Sequence, residues 1–69
     1  MNNIEKAMAA WEELAYINSR TDSMVNDLLE EIAGSKYDDD SVYATMENLS
    51  EEERGSFLEG CKKIKNQIL

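Results

Sequence analysis

The 69-residue sequence predicts an all-α fold, a small bundle of three to four helices that forms a single acidic helical domain over residues 1–69. The chain contains no proline, so nothing in it breaks a helix by removing a backbone N–H group. Its apolar residues recur at spacings of three and four, which is the periodicity of one helical face. Hydrophobic residues make up 42% of the chain, which is enough for a folded core, although a chain this short has a thin one.

The first helix is expected over about residues 3–18, with Asn2 or Asn3 as its N-cap. Trp11 lies on the apolar face of this helix, and we expect it in the core. The residues of that face are Ile4, Ala7, Met8, Trp11, Leu14 and Ala15.

A second helix is expected to end at Ala33, where Gly34 follows as the C-cap. The polar segment 18–23 predicts a turn in which Thr21 or Asp22 caps this helix. The two helices then form a helical hairpin over residues 3–33. The apolar face of the second helix consists of Met24, Val25, Leu28, Leu29, Ile32 and Ala33.

The same segment also fits one continuous helix over residues 3–33, with the first two helices fused. A heptad pattern runs through the expected turn, and it places Asn18 at a core position where a buried polar residue can determine coiled-coil register. Both interpretations remain open from the sequence. The heptad positions are Ile4, Ala7, Trp11, Leu14, Asn18, Thr21, Val25, Leu28 and Ile32.

The polar and acidic segment 35–40 reads as a linker, and it precedes a short helix expected over residues 41–49. Asp40 or Ser41 can cap that helix, because both side chains accept hydrogen bonds from backbone amides.

A C-terminal helix is expected over residues 51–68. Ser50 and Glu53 form a capping box at its start. Gly55 and Gly60 lower helix propensity, which indicates a close backbone approach or a bend. The apolar face of this helix consists of Phe57, Leu58, Cys61, Ile64, Ile68 and Leu69.

The formal net charge is −8, and the acids are concentrated in the middle of the chain, where Lys36 and Arg54 are the only bases. Lys62, Lys63 and Lys65 follow near the C-terminus. Nucleic-acid binding requires a basic stripe that displaces counterions from phosphates, and an acidic body repels both nucleic acid and an anionic membrane. We therefore expect neither as a direct partner.

The chain is expected in the cytoplasm, since it has no long apolar run and no signal-peptide pattern at its N-terminus. A single cysteine, Cys61, cannot form an internal disulfide, which is consistent with a reducing compartment. Its place on the apolar face of the last helix predicts a buried structural thiol rather than a nucleophile.

The composition argues against an enzyme, because the chain has no histidine to act as a general base, metal ligand or activator of a nucleophile. No cofactor is expected. An EF-hand loop that began at Asp38 would place Tyr43 where the loop requires glycine and Leu49 where it requires a bidentate ligand, so no calcium site is expected either.

Asp40, Ser41 and Val42 resemble the Asp-Ser-Leu attachment site of acyl carrier proteins, in which the serine carries phosphopantetheine. The resemblance covers three residues, and the glycine and hydrophobic pattern usual before that motif are absent. It implies a carrier protein modified at Ser41 as a remote alternative.

The acidic surface is the feature that points to a function. Carboxylates three or four residues apart on a helix form rows that imitate a phosphate backbone. We expect a regulator or inhibitor of a larger protein, with a nucleic-acid-handling enzyme that has a basic groove as the best target class. The expected partner-binding residues are Asp27, Glu30, Glu31, Tyr37, Asp38, Asp39, Asp40, Tyr43, Glu47, Glu51 and Glu52.

Small size, high acidity and the lack of catalytic groups are similar in general character to the compact inhibitors of phages and mobile elements, such as anti-CRISPR and anti-restriction proteins. The alternative is a structural subunit of a homodimer or hetero-oligomer, assembled through the heptad of residues 4–32 or the apolar face of the last helix.

Overall fold

The computed structural model describes residues 3–68, and over this range the chain forms four α-helices and a short 3-10 helix, with no strand. The all-α prediction is therefore confirmed. The α-helices are α1 (Asn3–Ala15), α2 (Ser19–Ala33), α3 (Val42–Asn48) and α4 (Glu51–Ile68), and the 3-10 helix is Gly34–Lys36. No helix within residues 3–68 is long and apolar enough to cross a membrane.

The break between α1 and α2 decides between the two interpretations of the N-terminal half. Asn18 has an extended backbone, and its side-chain oxygen accepts a hydrogen bond from the backbone N–H of Thr21 at 2.9 Å. The hairpin is confirmed and the continuous helix is wrong, because Asn18 is exposed at a helix start and does not occupy a core position.

The prediction that Thr21 or Asp22 caps α2 is wrong. Thr21 is buried inside α2, and the carboxylate of Asp22 accepts a hydrogen bond from Asn26 at 2.8 Å. α1 also ends at Ala15, earlier than predicted. Asn3 lies within α1 rather than at its cap, and Asn2 lies outside the described residues.

Polar contacts between the helices establish how they run. α1 and α4 are parallel, because Asn3 contacts Glu51 near the start of both helices and Lys65 pairs with Glu13 towards their ends. α2 runs antiparallel to α4. Lys36, just after α2, pairs with Glu53 in the first turn of α4 at 2.7 Å.

The core lies between α1, α2 and α4, and α3 closes it against α1. Trp11 is half-buried and packs against the core, while its indole N–H donates a hydrogen bond to Asn26 Oδ1 at 3.0 Å. The buried apolar residues are Ala7, Leu14, Val25, Leu29, Ala33, Met46, Leu49, Phe57, Cys61 and Ile64.

The start of α3 confirms one of the two predicted caps. Ser41 Oγ accepts a hydrogen bond from the backbone N–H of Ala44 at 3.0 Å. The buried hydroxyl of Thr45 accepts one from the backbone N–H of Asp38 at 2.9 Å, which ties the linker to α3.

The capping box at the start of α4 is also confirmed. The backbone N–H of Glu53 donates to Ser50 Oγ at 3.1 Å, and that of Ser50 donates to Glu53 Oε1 at 2.8 Å. Gly34 is the C-cap of α2, as predicted, and its backbone N–H donates to the carbonyl oxygen of Glu30. Its φ of +55° is positive, but its ψ of −123° lies outside the left-handed helical region that the sequence predicted.

The two glycines of α4 have different surroundings. A Cβ atom at Gly60 would lie 2.6 Å from Leu28 Cδ2, so α2 and α4 approach each other closely there. A Cβ atom at Gly55 would have no such neighbour within 4 Å. The predicted close approach therefore holds for Gly60 and is wrong for Gly55.

Candidate functional site: an acidic surface

The predicted partner-binding residues lie on four consecutive parts of the chain: the outer face of α2, the linker before α3, α3 itself and the first turn of α4. All are exposed except Tyr37 and Asp38, which are half-buried. We call this set the acidic surface, and its members are Asp27, Glu30, Glu31, Tyr37, Asp38, Asp39, Asp40, Tyr43, Glu47, Glu51 and Glu52.

The carboxylates of α2 face solvent because the opposite side of the helix is packed. Residues four apart, from Thr21 through Val25 and Leu29, are buried in the core. Glu30 and Glu31 lie on the other side and are exposed. The amphipathic pattern of α2 thus leaves its acids free of the core.

The linker holds Asp38 by its own hydrogen bonds. Asp38 Oδ1 accepts a hydrogen bond from the backbone N–H of Asp40 at 2.9 Å, as in an Asx turn. This contact orients the segment and leaves the side chains of Asp39 and Asp40 exposed. Across residues 3–68, no three histidine, cysteine or acidic side chains come together as metal ligands would.

The two tyrosines of the acidic surface differ in exposure. Tyr37 packs against the core, and burial raises the pKa of its phenol, with the carboxylates of Glu30 and Asp39 adding to that shift. Tyr43 is 50% exposed and is the tyrosine available for a contact.

Lys36 is one of the two bases in the acidic middle of the chain. It pairs with Glu53, which is not among the predicted partner-binding residues. Its ammonium lies 2.7 Å from the carboxylate. The hydrogen bond from Lys36 is the main reason that the pKa of Glu53 is lowered, and the backbone N–H of Ser50 lowers it further. Lys36 therefore pairs with a carboxylate that is not part of the acidic surface.

Arg54, the other base, is a residue whose role the sequence did not reveal. It is buried, and its guanidinium donates to the carbonyl oxygens of Met46 and Leu49, both at 2.7 Å. It also donates to Glu51 at 3.0 Å. The available signal was its spacing, since Arg54 lies three residues before Phe57 on the buried face of α4.

Most of the acidic surface is left without a cation, because Lys36 pairs with Glu53 and the buried Arg54 reaches one member of the surface, Glu51. Glu51 is an exception, since it contacts Arg54 and accepts a hydrogen bond from Asn3 at 2.5 Å. Among the residues that the structure describes, no ion pair involves Asp27, Glu30, Glu31, Asp39, Asp40, Glu47 or Glu52.

Cys61 lies away from the acidic surface, between α1 and α4. Its side chain is buried, and burial raises the pKa of the thiol to about 11, with Glu13 contributing in the same direction and Lys65 opposing it. A thiol with such a pKa is protonated near neutral pH and is a poor nucleophile. The prediction of a buried thiol is confirmed.

The chain matches no protein-family model, no curated protein and no solved structure.

Proposed function

We propose that this protein is a binding module that docks through its acidic surface onto a basic groove of a larger protein and regulates or inhibits it. The observation that carries the proposal is the unpaired charge: exposed carboxylates on α2, the linker, α3 and α4 that have no cation within residues 3–68. Unpaired charges of one sign steer a partner of the opposite sign and increase the association rate.

The preferred target is an enzyme that handles nucleic acid. On a helix, the Cβ atoms of residues three or four apart lie about 5–6 Å from each other. Asp27 is separated by that number of residues from Glu30 and Glu31 in α2. A row of negative charges at such spacing is what a phosphate-binding groove accepts. Direct binding to nucleic acid or to an anionic membrane is disfavoured by the same charge, and we place the protein in the cytoplasm.

Inhibition is the favoured mode of action, because a protein that occupies a basic groove excludes the nucleic acid from it. The chain's small size, high acidity and lack of catalytic groups are also similar in general character to the compact inhibitors encoded by phages and mobile elements. The proposal does not include catalysis, a cofactor or a metal ion.

The test is an affinity pull-down from a lysate of the cells that carry the gene, at low and at high salt, with the bound proteins identified by mass spectrometry. The wild type is compared with Asp39→Asn/Asp40→Asn and with Glu5→Gln/Glu12→Gln, which removes the same charge from exposed positions of α1 outside the acidic surface.

We expect the wild type and the α1 control to capture a nucleic-acid-binding enzyme, and Asp39→Asn/Asp40→Asn to capture less of it. High salt should abolish the capture. Equal capture by all three proteins, or capture that does not respond to salt, would rule out the acidic surface as the contact.

The alternative, a structural subunit assembled through the heptad or the last helix, has less support. Its interface would use Leu14, Val25 and Phe57, which are buried in the chain's own core. A carrier role for Ser41 is more remote, because N-capping of α3 already accounts for this serine. An unchanged mass after incubation with a phosphopantetheinyl transferase would remove it.

A further inference from the structure

A cavity of about 160 Å³ lies between α1 and α4, outside the acidic surface. The buried side chains of Leu14 and Cys61 line it, together with the half-buried Ala10 and Leu58. The cavity is therefore apolar where it meets the core.

The size of this cavity restricts its occupant. Pockets for drug-sized molecules usually enclose about 300–1,000 Å³. A cavity of about 150 Å³ accommodates a molecule the size of benzene. The cavity between α1 and α4 thus fits a single ring or one branched side chain, as an anchor pocket in a protein interface does.

The rim of the cavity is charged. Lys62, Lys65 and Glu13 line it, and Lys65 pairs with Glu13 across the two helices. Lys62 lies 3.7 Å from Glu59, and both side chains are highly exposed, so this pair holds the lysine weakly. The rim therefore presents one available cation, which favours an apolar side chain flanked by carboxylates.

The chain itself carries a segment of that description. Tyr43, in the first turn of α3, is 50% exposed and is preceded by the exposed Asp39 and Asp40. Neither aspartate forms an ion pair within residues 3–68.

We propose that the occupant is a second copy of this chain, in which the ring of Tyr43 enters the cavity between α1 and α4 and the carboxylates of Asp39 and Asp40 face Lys62. The contact joins two different surfaces. Two copies can make this contact with each other reciprocally around a two-fold axis. Alternatively, the contact can repeat from one copy to the next.

Salt has a predictable effect on this contact. Two chains of net charge −8 repel each other, but at physiological ionic strength charges further apart than about 8 Å are largely screened. Contacts within the interface are shorter than that distance. Association should therefore be strongest at intermediate salt and weaker at both low and high salt.

The experiment measures the mass of the purified protein by sedimentation equilibrium at physiological salt. One anchor and a few exposed charges give a weak contact, so the concentrations extend to about 1 mM. The wild type is expected to exceed the mass of one chain, and Tyr43→Ala and the cavity-filling Ala10→Leu to remain monomeric. Tyr43→Phe keeps the ring and should associate.

A charge exchange gives the sharpest test. Asp39→Lys/Asp40→Lys places lysines opposite Lys62, and Lys62→Glu places a carboxylate opposite the aspartates, so each variant alone should be monomeric. Mixing the two variants should restore association, because every contact then joins opposite charges. The control Glu5→Lys/Glu12→Lys makes the same change in net charge on α1 and should associate like the wild type.

Circular dichroism establishes that each variant is folded, and recovery in the mixture excludes misfolding as the cause of a monomer. A wild type that stays monomeric to about 1 mM overturns the proposal. An assembly that persists in Ala10→Leu and in both charge variants also overturns the proposal. The proposal is overturned as well if the cavity binds an added acidic peptide but not a second copy of the chain. The measurement needs no other partner, so its outcome is separate from that of the proposed function.

Discussion

The guanidinium of Arg54 lies at the C-terminus of α3, where the last carbonyl oxygens of a helix lack regular helical partners. It donates to the carbonyl oxygen of Leu49 and to that of Met46, which otherwise accepts a single 3.3 Å hydrogen bond from the backbone N–H of Leu49. A cation there satisfies both oxygens and interacts favourably with the helix dipole. Because only one of its hydrogen bonds goes to a carboxylate, Arg54 acts mainly as a support for α3.

Replacing Arg54 with methionine should destabilise the fold by about 1–3 kcal/mol, since it keeps much of the packing but removes the donor from the carbonyl of Leu49 and the stronger of two donors from that of Met46. Urea denaturation measures the effect. Glu51→Gln is the control, because Glu51 is exposed and its substitution should have little effect. An Arg54→Met variant as stable as the wild type would show that water satisfies these oxygens equally well.

Cys61 supplies a pH-dependent prediction. The pKa of its thiol is raised to about 11 in the folded chain, against about 8.5 in an unfolded one. Above pH 8.5 the unfolded chain loses this proton first, so it binds fewer protons than the folded chain. The contribution of the thiol to stability is therefore complete below the unfolded pKa and is lost as pH rises through about 11.

Thiolate absorbance at 240 nm measures this titration directly, with Cys61→Ser as the blank. The expected midpoint is about 11 in buffer and returns to about 8.5 in denaturant. A midpoint near 8.5 in the folded protein would mean that the thiol is solvated and not buried.

At the scale of the helices, the hydrogen bonds that start α3 and α4 were predictable, whereas the cap of α2 and the break in the heptad were not. The capping box of Ser50 and Glu53 and the cap by Ser41 follow from short-range chemistry that the sequence displays directly. A continuous helix and a hairpin present the same apolar spacing over residues 3–33. What separates them is whether Asn18 bonds the backbone or enters a core, and that depends on tertiary packing.

Removing the cap of α2 should therefore be costly. Asn18→Ala should lower the free energy of unfolding by about 1 kcal/mol, because the amide of Thr21 loses its acceptor. Asn18→Asp keeps an acceptor oxygen and should cost much less. Thermal denaturation of the two variants compares them, and equal losses would show that the cap contributes nothing specific.

The two glycines of α4 offer a matched pair. Gly55→Ala should stabilise the protein by about 0.5–1 kcal/mol, because alanine favours the helix and a Cβ atom meets nothing within 4 Å. Gly60→Ala should gain less or lose stability, since Leu28 must move away from the new methyl group. Equal effects in urea denaturation would contradict the close approach of α2 and α4.

At the scale of the whole molecule, the sequence predicted which acids are exposed but not which are paired. Exposure follows from helical periodicity, as for Glu30 and Glu31 on α2. Pairing depends on contacts between elements that are distant in the chain, such as that of Asn3 with Glu51. Charge counting alone also registered Arg54 only as one of two bases in the middle of the chain, because the fold that buries it is not a local property.

The acidic surface can take part in only one of the two proposed contacts at a time, because both contacts use the same carboxylates. Self-association through Tyr43 and the docking of a basic partner both use Asp39 and Asp40. A partner with high affinity should therefore dissociate any assembly of this chain, by mass action.

Competition between this protein and double-stranded DNA for the recovered partner tests whether the acidic surface occupies the nucleic-acid groove. The measurement is the apparent Kd of the complex as a DNA fragment is added at constant salt. If the acidic surface occupies the nucleic-acid groove, the apparent Kd rises linearly with the concentration of free DNA, and the partner does not bind both at once. A Kd that stays constant while DNA is bound would place the contact elsewhere on the partner and rule out occupation of the groove.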